Sequence, residues 1–317
     1  MELSQQQLAF FKDNGYLIVP GAISAEHCAE ARDRMWAALP ANCALKRDDP
    51  STYTGPFKGQ DIDHDPLHTR QGFRWQNREI STEAFFIEMT FSAELRAVAE
   101  QLIGKNTLRE PVVGGQRMGS VGTAWPGGPV DPAINEGVRG IYCTLPYGDQ
   151  PRLPDASHTD GHPFSLGAVA NIHRVPVDGG AFKVWPKSHR RLYPTFQMQY
   201  DQPRIPYYDH LPSYKGIIHS AAYLKELEAI MHDTQPVECA GGEGDVVLWH
   251  HRLAHMAGHN YTDVIRQSVL WDYNRSDLDQ LRADPPQHNM WRDWSEQLQA
   301  NDSHYSDEFS REQRLSR

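Results

Sequence analysis

Along the first hundred residues, apolar positions recur at helical spacing; beyond that they gather into short runs separated by glycine and proline. Residues 4–14 predict an amphipathic helix with Ser4 as its cap and Gly15 as its stop, and a short strand follows over 16–19. Ser24 caps a second helix reaching about residue 39. The polar, turn-rich stretch 40–76 lacks periodicity and predicts a long loop. Helical spacing returns over 81–91 and 92–103, with Gly104 closing the latter. From there the pattern is β-rich, with runs at 110–118, 138–145, 165–175, 181–185, 237–239, 246–249 and 265–273. Many short strands with turn punctuation predict a mainly β fold with flanking helices, built on a double-stranded β-helix, the cupin-like jelly roll. Two insertions interrupt it: a Gly/Pro-rich loop at 119–137, and an aromatic, Pro-rich stretch at 190–233 ending in a helix near 221–231. The apolar spacing of 290–298 suits docking of the tail on the body. The expected layout is one domain over 1–317: a helical flank and loop (1–109), the jelly-roll core (110–275) and a C-terminal extension (276–317).

Composition narrows the function classes. The 317 residues are 39% hydrophobic and 23% charged, as in an ordinary globular protein. The net charge of −10 argues against nucleic acid as a main partner, since phosphate binding needs a basic surface. A local pocket can still oppose the global sign, so a small anionic ligand stays open. Cys28, Cys43, Cys143 and Cys239 are far apart and form no C-x-x-C pair, so neither a zinc knuckle nor a disulfide framework is expected. With no signal-peptide pattern at the start and no apolar run of membrane-spanning length, a soluble, cytoplasmic protein is expected.

Candidate chemistry centres on His158-Thr159-Asp160. In extended backbone, side chains at i and i+2 share a face, so His158 and Asp160 can grip one ion while Thr159 turns away. His255 is the leading third ligand, with His250, His251 and His259 as competitors close by. Two imidazoles and one carboxylate with open positions opposite suit non-haem Fe(II) and oxygen chemistry. Arg266, inside an apolar strand, offers a fork for a co-substrate carboxylate. His162 is a candidate for a contact beyond the ligands, although Pro163 suggests that the strand has ended. Trp75, Trp125, Tyr207, Tyr208 and Tyr214 could line a substrate cavity or simply anchor loops, and Arg70, Arg74 and Arg117 could meet a substrate carboxylate or phosphate. Gly179, Gly180 and Pro186 read as turn residues.

These blocks resemble a known family. LAFFKDNGYLIVPGAIS (8–24), HTD, GGAFKVWPKSH (179–189), GDVVLWHHRLAHMAGHN (244–260) and Arg266 are similar, in that order, to the phytanoyl-CoA dioxygenase (PhyH-like) branch of the Fe(II)/2-oxoglutarate-dependent oxygenases. The resemblance implies a jelly roll, Fe(II), and 2-oxoglutarate and O2 as co-substrates with release of succinate and CO2. It implies His158, Asp160 and His255 as iron ligands and Arg266 as partner of the distal carboxylate of 2-oxoglutarate. Asn260 would brace the turn leading into Arg266. Ala257 departs from the pattern: the family often has a hydroxyl residue there, which would bond the co-substrate. Asp160 stands where related halogenases carry a small residue, which argues against halogenation. The implied reaction is hydroxylation of a C–H bond in a small metabolite, with desaturation or ring closure as variants. The competing readings are a metal-dependent cupin-type enzyme that does not use 2-oxoglutarate, and a non-catalytic jelly-roll binding module.

Overall fold

The computed structural model describes residues 1–65, 67–109, 138–160, 164–196, 220–281, 284–300 and 307–314. The expected strand 110–118, the loop 119–137, and Arg117, Trp125, His162, Pro163, Tyr207, Tyr208 and Tyr214 lie outside these residues.

The N-terminal helices start where their caps require. Helix α1 (Gln5–Asn14) opens on a capping box between Ser4 and Gln7 and ends at Gly15. The Ser24 hydroxyl accepts from the His27 N–H at the head of α2 (Ala25–Ala37). Helix α3 (Ala84–Thr90) is shorter than its apolar spacing predicts, because its first turn is a separate 3-10 segment, Glu79–Thr82. Helix α4 (Ala93–Ile103) is capped by Ser92.

Among the described residues the strands form two antiparallel sheets. The larger holds β1 (Tyr16–Val19), β2 (His68–Gln71), β3 (Arg74–Asn77), β4 (Val138–Thr144), β5 (Leu166–Asn171), β8 (Val246–His250) and β10 (Arg266–Tyr273), in the order β1-β8-β5-β10-β4-β3-β2. The smaller holds β7 (Val237–Glu238), β6 (Phe182–Val184) and β9 (His255–Ala257), in the order β7-β6-β9. The architecture is the mainly β, helix-flanked, cupin-like jelly roll expected from the strand pattern.

Two expectations need correction. Residues 40–76 are not wholly loop, because β2 and β3 form a hairpin closed by Gly72 and Phe73. Its strands, HTRQ at the sheet edge and RWQN between β2 and β4, are mostly polar, so no apolar run or alternation marks them. With β1 they bring three N-terminal strands into the larger sheet, so that sheet reaches back across the expected flank. Strand β9 carries no strand signal in its three residues, HMA, and forms through pairing with β6.

Register assigns the two faces of the larger sheet, since opposed residues of an antiparallel pair, and alternate residues of a strand, share a face. Val269, Trp271 and Tyr273 of β10 lie with Leu248 of β8 on the helix side. There the Tyr273 hydroxyl donates to the Thr90 carbonyl, and its ring meets Phe91 at 5.1 Å between centroids. Arg266, Ser268 and Asp272 lie on the opposite face, with Trp249 of β8. The Trp249 ring lies over Gly167, where a Cβ would come within 2.2 Å of it, so only glycine leaves room. Phe182 of the smaller sheet packs on that indole at 4.7 Å, closing the two sheets on one another. The tail joins the same core through Trp291, Trp294 and Leu298, as its spacing predicts. Helix α5 (Ser188–Leu192) and helix α6 (Ala221–Asp233) flank the smaller sheet, and Ser220 caps α6.

Candidate metal centre

His158 lies beside His255 of β9, at the edge of the smaller sheet. They exchange both backbone hydrogen bonds, His158 N–H to His255 O at 3.0 Å and His255 N–H to His158 O at 2.9 Å, as a two-residue antiparallel bridge. This bridge, rather than a regular strand, holds His158. The rings stand 4.8 Å apart and tilted by 53°, so their edges converge. Thr159 turns the other way, its N–H and hydroxyl both reaching the Tyr223 hydroxyl of α6, at 3.0 and 3.1 Å. Asp160 therefore comes back to the side of His158. Its Oδ1 is 3.7 Å from His158 Nε2, and its Oδ2 is 3.5 Å from His255 Nε2.

One donor atom from each of these three residues lies within 4.8 Å of the other two, and theirs is the single cluster of this kind among the described residues. Nδ1 of His255 is 2.9 Å from the Leu253 carbonyl, an acceptor that needs a proton on Nδ1 and leaves the Nε2 lone pair for a metal. The donor set of two imidazoles and a carboxylate fits Fe(II), with coordination positions left over.

The competing histidines stand elsewhere. His250 and His251 are buried and stack on one another at 4.4 Å, and His250 also stacks on Trp294 at 4.7 Å; His189, not among the competitors, is buried against Trp291. His259 packs beside Tyr147. Burial pushes His189 down to about 3 and His250 well below its ordinary range, so both are neutral at pH 7.

Arg266 lies on the inner face of β10, 2% exposed. Its Nε has no hydrogen-bond partner among the described residues, and no carboxylate pairs with it there. Burial lowers its guanidinium from the ordinary 12.5 to about 10. A buried, uncompensated cation is costly, and an anion entering between the sheets would relieve that cost. Along the same face Ser268 Oγ is likewise buried without a partner among the described residues. Asn260 ties the approach to β10: its Nδ2 donates to Thr144 O at 2.9 Å and Val264 O at 2.7 Å, and its Oδ1 accepts from Thr262. Ala257 shares its face of β9 with His255 and is exposed, offering no donor.

Of the weaker candidates, Trp75 is fully buried on the helix side, its ring 5.5 Å from that of Trp36. Arg70, on that side too, pairs with Asp63 at 3.1 Å, whereas Arg74 is exposed. The residues that sequence reasoning missed are Tyr223, Asp272 and Arg139. The last two are charged side chains inside apolar strands, and that was their one visible signal.

Residues 11–268 match the family model described as phytanoyl-CoA dioxygenase (PhyH). The chain belongs to that family. Membership and the His-Asp-His cluster make it an oxidoreductase of the Fe(II)/2-oxoglutarate-dependent class. EctD from S. alaskensis, solved with bound Fe, is similar at 18% identity and a TM-score of 0.50, covering 90% of this chain and 80% of EctD. The carbocyclase SnoK from nogalamycin biosynthesis is 17% identical over 91% of this chain and 95% of its own, at a TM-score of 0.47. The epimerase SnoN, solved with Fe3+, alpha ketoglutarate and nogalamycin RO, is 16% identical over 92% and 97%, at a TM-score of 0.47. No curated protein sequence matches the chain. At 18% identity EctD speaks to the fold alone, which it shares with this chain. No helix among the described residues is long and apolar enough to cross a membrane.

Proposed function

We propose that this chain hydroxylates a C–H bond of a small metabolite in the cytoplasm, with the whole length acting as one oxygenase domain. His158, Asp160 and His255 hold the iron, Arg266 receives the distal carboxylate of 2-oxoglutarate, and Asn260 braces the backbone that delivers Arg266. Bound Fe(II), with 2-oxoglutarate and O2, supplies the oxidising chemistry, and succinate and CO2 leave. The chain's own part is positional. The paired backbone bonds between His158 and His255 set the spacing of these two ligands along the edge of the smaller sheet. The Leu253 carbonyl takes the Nδ1 proton of His255, so the neutral ring carries its lone pair on Nε2. Trp249 and Phe182 pack around His255, at 5.4 and 5.1 Å, and keep water from that side of the site.

The observation that carries this reading is the Arg266 guanidinium, buried on the inner face and unpaired among the described residues. A cupin-type enzyme without a keto-acid, or a binding module, has no use for it. The test is a screen of small metabolites with Fe(II), 2-oxoglutarate and O2, reading succinate. A substrate should raise succinate formation in proportion to product. A metabolite transformed at full rate without 2-oxoglutarate would overturn the reading.

A further inference from the structure

The buried charges beside the metal cluster include a pair that serves neither as ligand nor as keto-acid partner. Strands β4 and β10 run in register from Arg266 opposite Thr144 to Leu270 opposite Gly140; then the register slips, Trp271 pairs with Val138, and Arg139 is left over. A bulge of this kind re-aims a side chain. By simple alternation Arg139 would share the helix side with Ile141 and Cys143. The bulge instead delivers it to Asp272, on the inner face. Gly140 makes the turn possible: its φ is +111°, and a Cβ there would stand 2.2 Å from the Asn77 carbonyl oxygen.

Arg139 is 5% exposed. Its Nε and Nη2 donate to the two oxygens of Asp272 at 2.9 and 2.6 Å, a fork that fixes the guanidinium plane. The remaining Nη1 donates to Asp160 Oδ2 at 2.9 Å. Phe164 and Trp249 cover the cation, their ring centroids 5.3 and 5.9 Å from its central carbon. Burial alone would lower this guanidinium, yet Asp272 and then Asp160 hold it above its ordinary value.

We propose that Arg139, locked by Asp272, is the positioning residue for the carboxylate ligand of the metal. This rests on the metal assignment made above. A carboxylate on a single bond can swing, and it can bind an ion through one oxygen or two. The Nη1 bond to Oδ2 sets that rotation before any metal arrives. Asp272 completes the device electrostatically. An uncompensated arginine here would repel the incoming cation, whereas the Arg139–Asp272 pair adds direction without net charge.

The test is a titration of the metal-free protein with Co(II), read by its ligand-field absorption, together with thermal unfolding of each metal-free variant. Arg139→Lys keeps the charge and loses the fork; Asp272→Asn keeps the guanidinium but loses the compensating charge and one of the fork's two acceptors. Each should bind Co(II) roughly 10–100-fold more weakly and shift the absorption bands, the usual effect of removing a partner behind a ligand. Should either single variant fail to fold, Arg139→Gln with Asp272→Asn removes both buried charges together and should show the same weakening in a folded protein. Folded variants that bind Co(II) within twofold of the parent, with unchanged bands, would overturn the positioning role alone. A parent protein that binds no Co(II), like its His158→Ala variant, would overturn the metal assignment and this inference with it.

Discussion

Replacing Arg266 by Met should improve the ligand-free protein and ruin its use of 2-oxoglutarate. The guanidinium is 2% exposed, and burial lowers it from 12.5 to about 10. At about 1.4 kcal/mol per tenfold change in a proton equilibrium, the charged form is disfavoured by ~3 kcal/mol relative to water. At pH 7 arginine is protonated in both folded and unfolded chains, so that cost falls on the native state throughout the accessible range. Methionine fills a similar volume without charge, and replacements of buried charge by apolar groups stabilise by about 1–4 kcal/mol. The ligand-free variant should therefore unfold several degrees higher, at roughly 2–4 °C per kcal/mol. Binding moves the other way. Two charge-assisted hydrogen bonds at ~1.5–3 kcal/mol each make the loss at least about a hundredfold in 2-oxoglutarate affinity. Calorimetric unfolding without ligand, paired with anaerobic titration of 2-oxoglutarate into the Fe(II)-loaded protein, reads both. A variant that melts below the parent, or binds 2-oxoglutarate within threefold of it, would refute the reasoning.

Other consequences follow from single residues. Asp160→Asn leaves Arg139 facing a neutral amide and removes the anionic ligand, so Fe(II) retention after gel filtration should fall to background. Gly140→Ala forces a side chain into φ +111° and against the Asn77 carbonyl, and should cost at least about 2 kcal/mol in denaturant unfolding. Acid should destabilise the fold. Burial pushes His189 to about 3 and His173 to about 4, with His250 well below its ordinary 6.5. The unfolded chain therefore takes up protons first. The histidine contribution is complete above about pH 6.5 and drains away as pH falls towards the folded values. A denaturation midpoint that is flat or rising from pH 7 to 5 would contradict this. Trp294→Ala removes the ring stacked on His250 and should cost ~3–5 kcal/mol, showing that the tail belongs to the core.

What the sequence made legible depended on how local the causes were. Helices α1, α2 and α4 start at Ser4, Ser24 and Ser92 because a cap is settled within a turn of chain. His158 and Asp160 were visible as a pair because i and i+2 share a face wherever the backbone is extended. The hairpin of β2 and β3 was hidden because both strands are mostly polar, and Trp75 could be placed only once that hairpin was known to close. Strand β9 was hidden because its pairing with β6 makes it a strand. The clamp on Asp160 was the least legible. It needs the bulge at Arg139, and that exists only through the register of β4 against β10. Its two acidic partners, Asp160 and Asp272, are distant in the chain and join only in the closed jelly roll.

The most direct measurement is an anaerobic titration of the metal-free protein with Fe(II) and 2-oxoglutarate, followed by the metal-to-ligand charge-transfer absorption. A band that saturates at one iron per chain, and is missing from the His255→Ala variant, is the result this account requires. No band in the parent protein, or an undiminished band without His255, would contradict it.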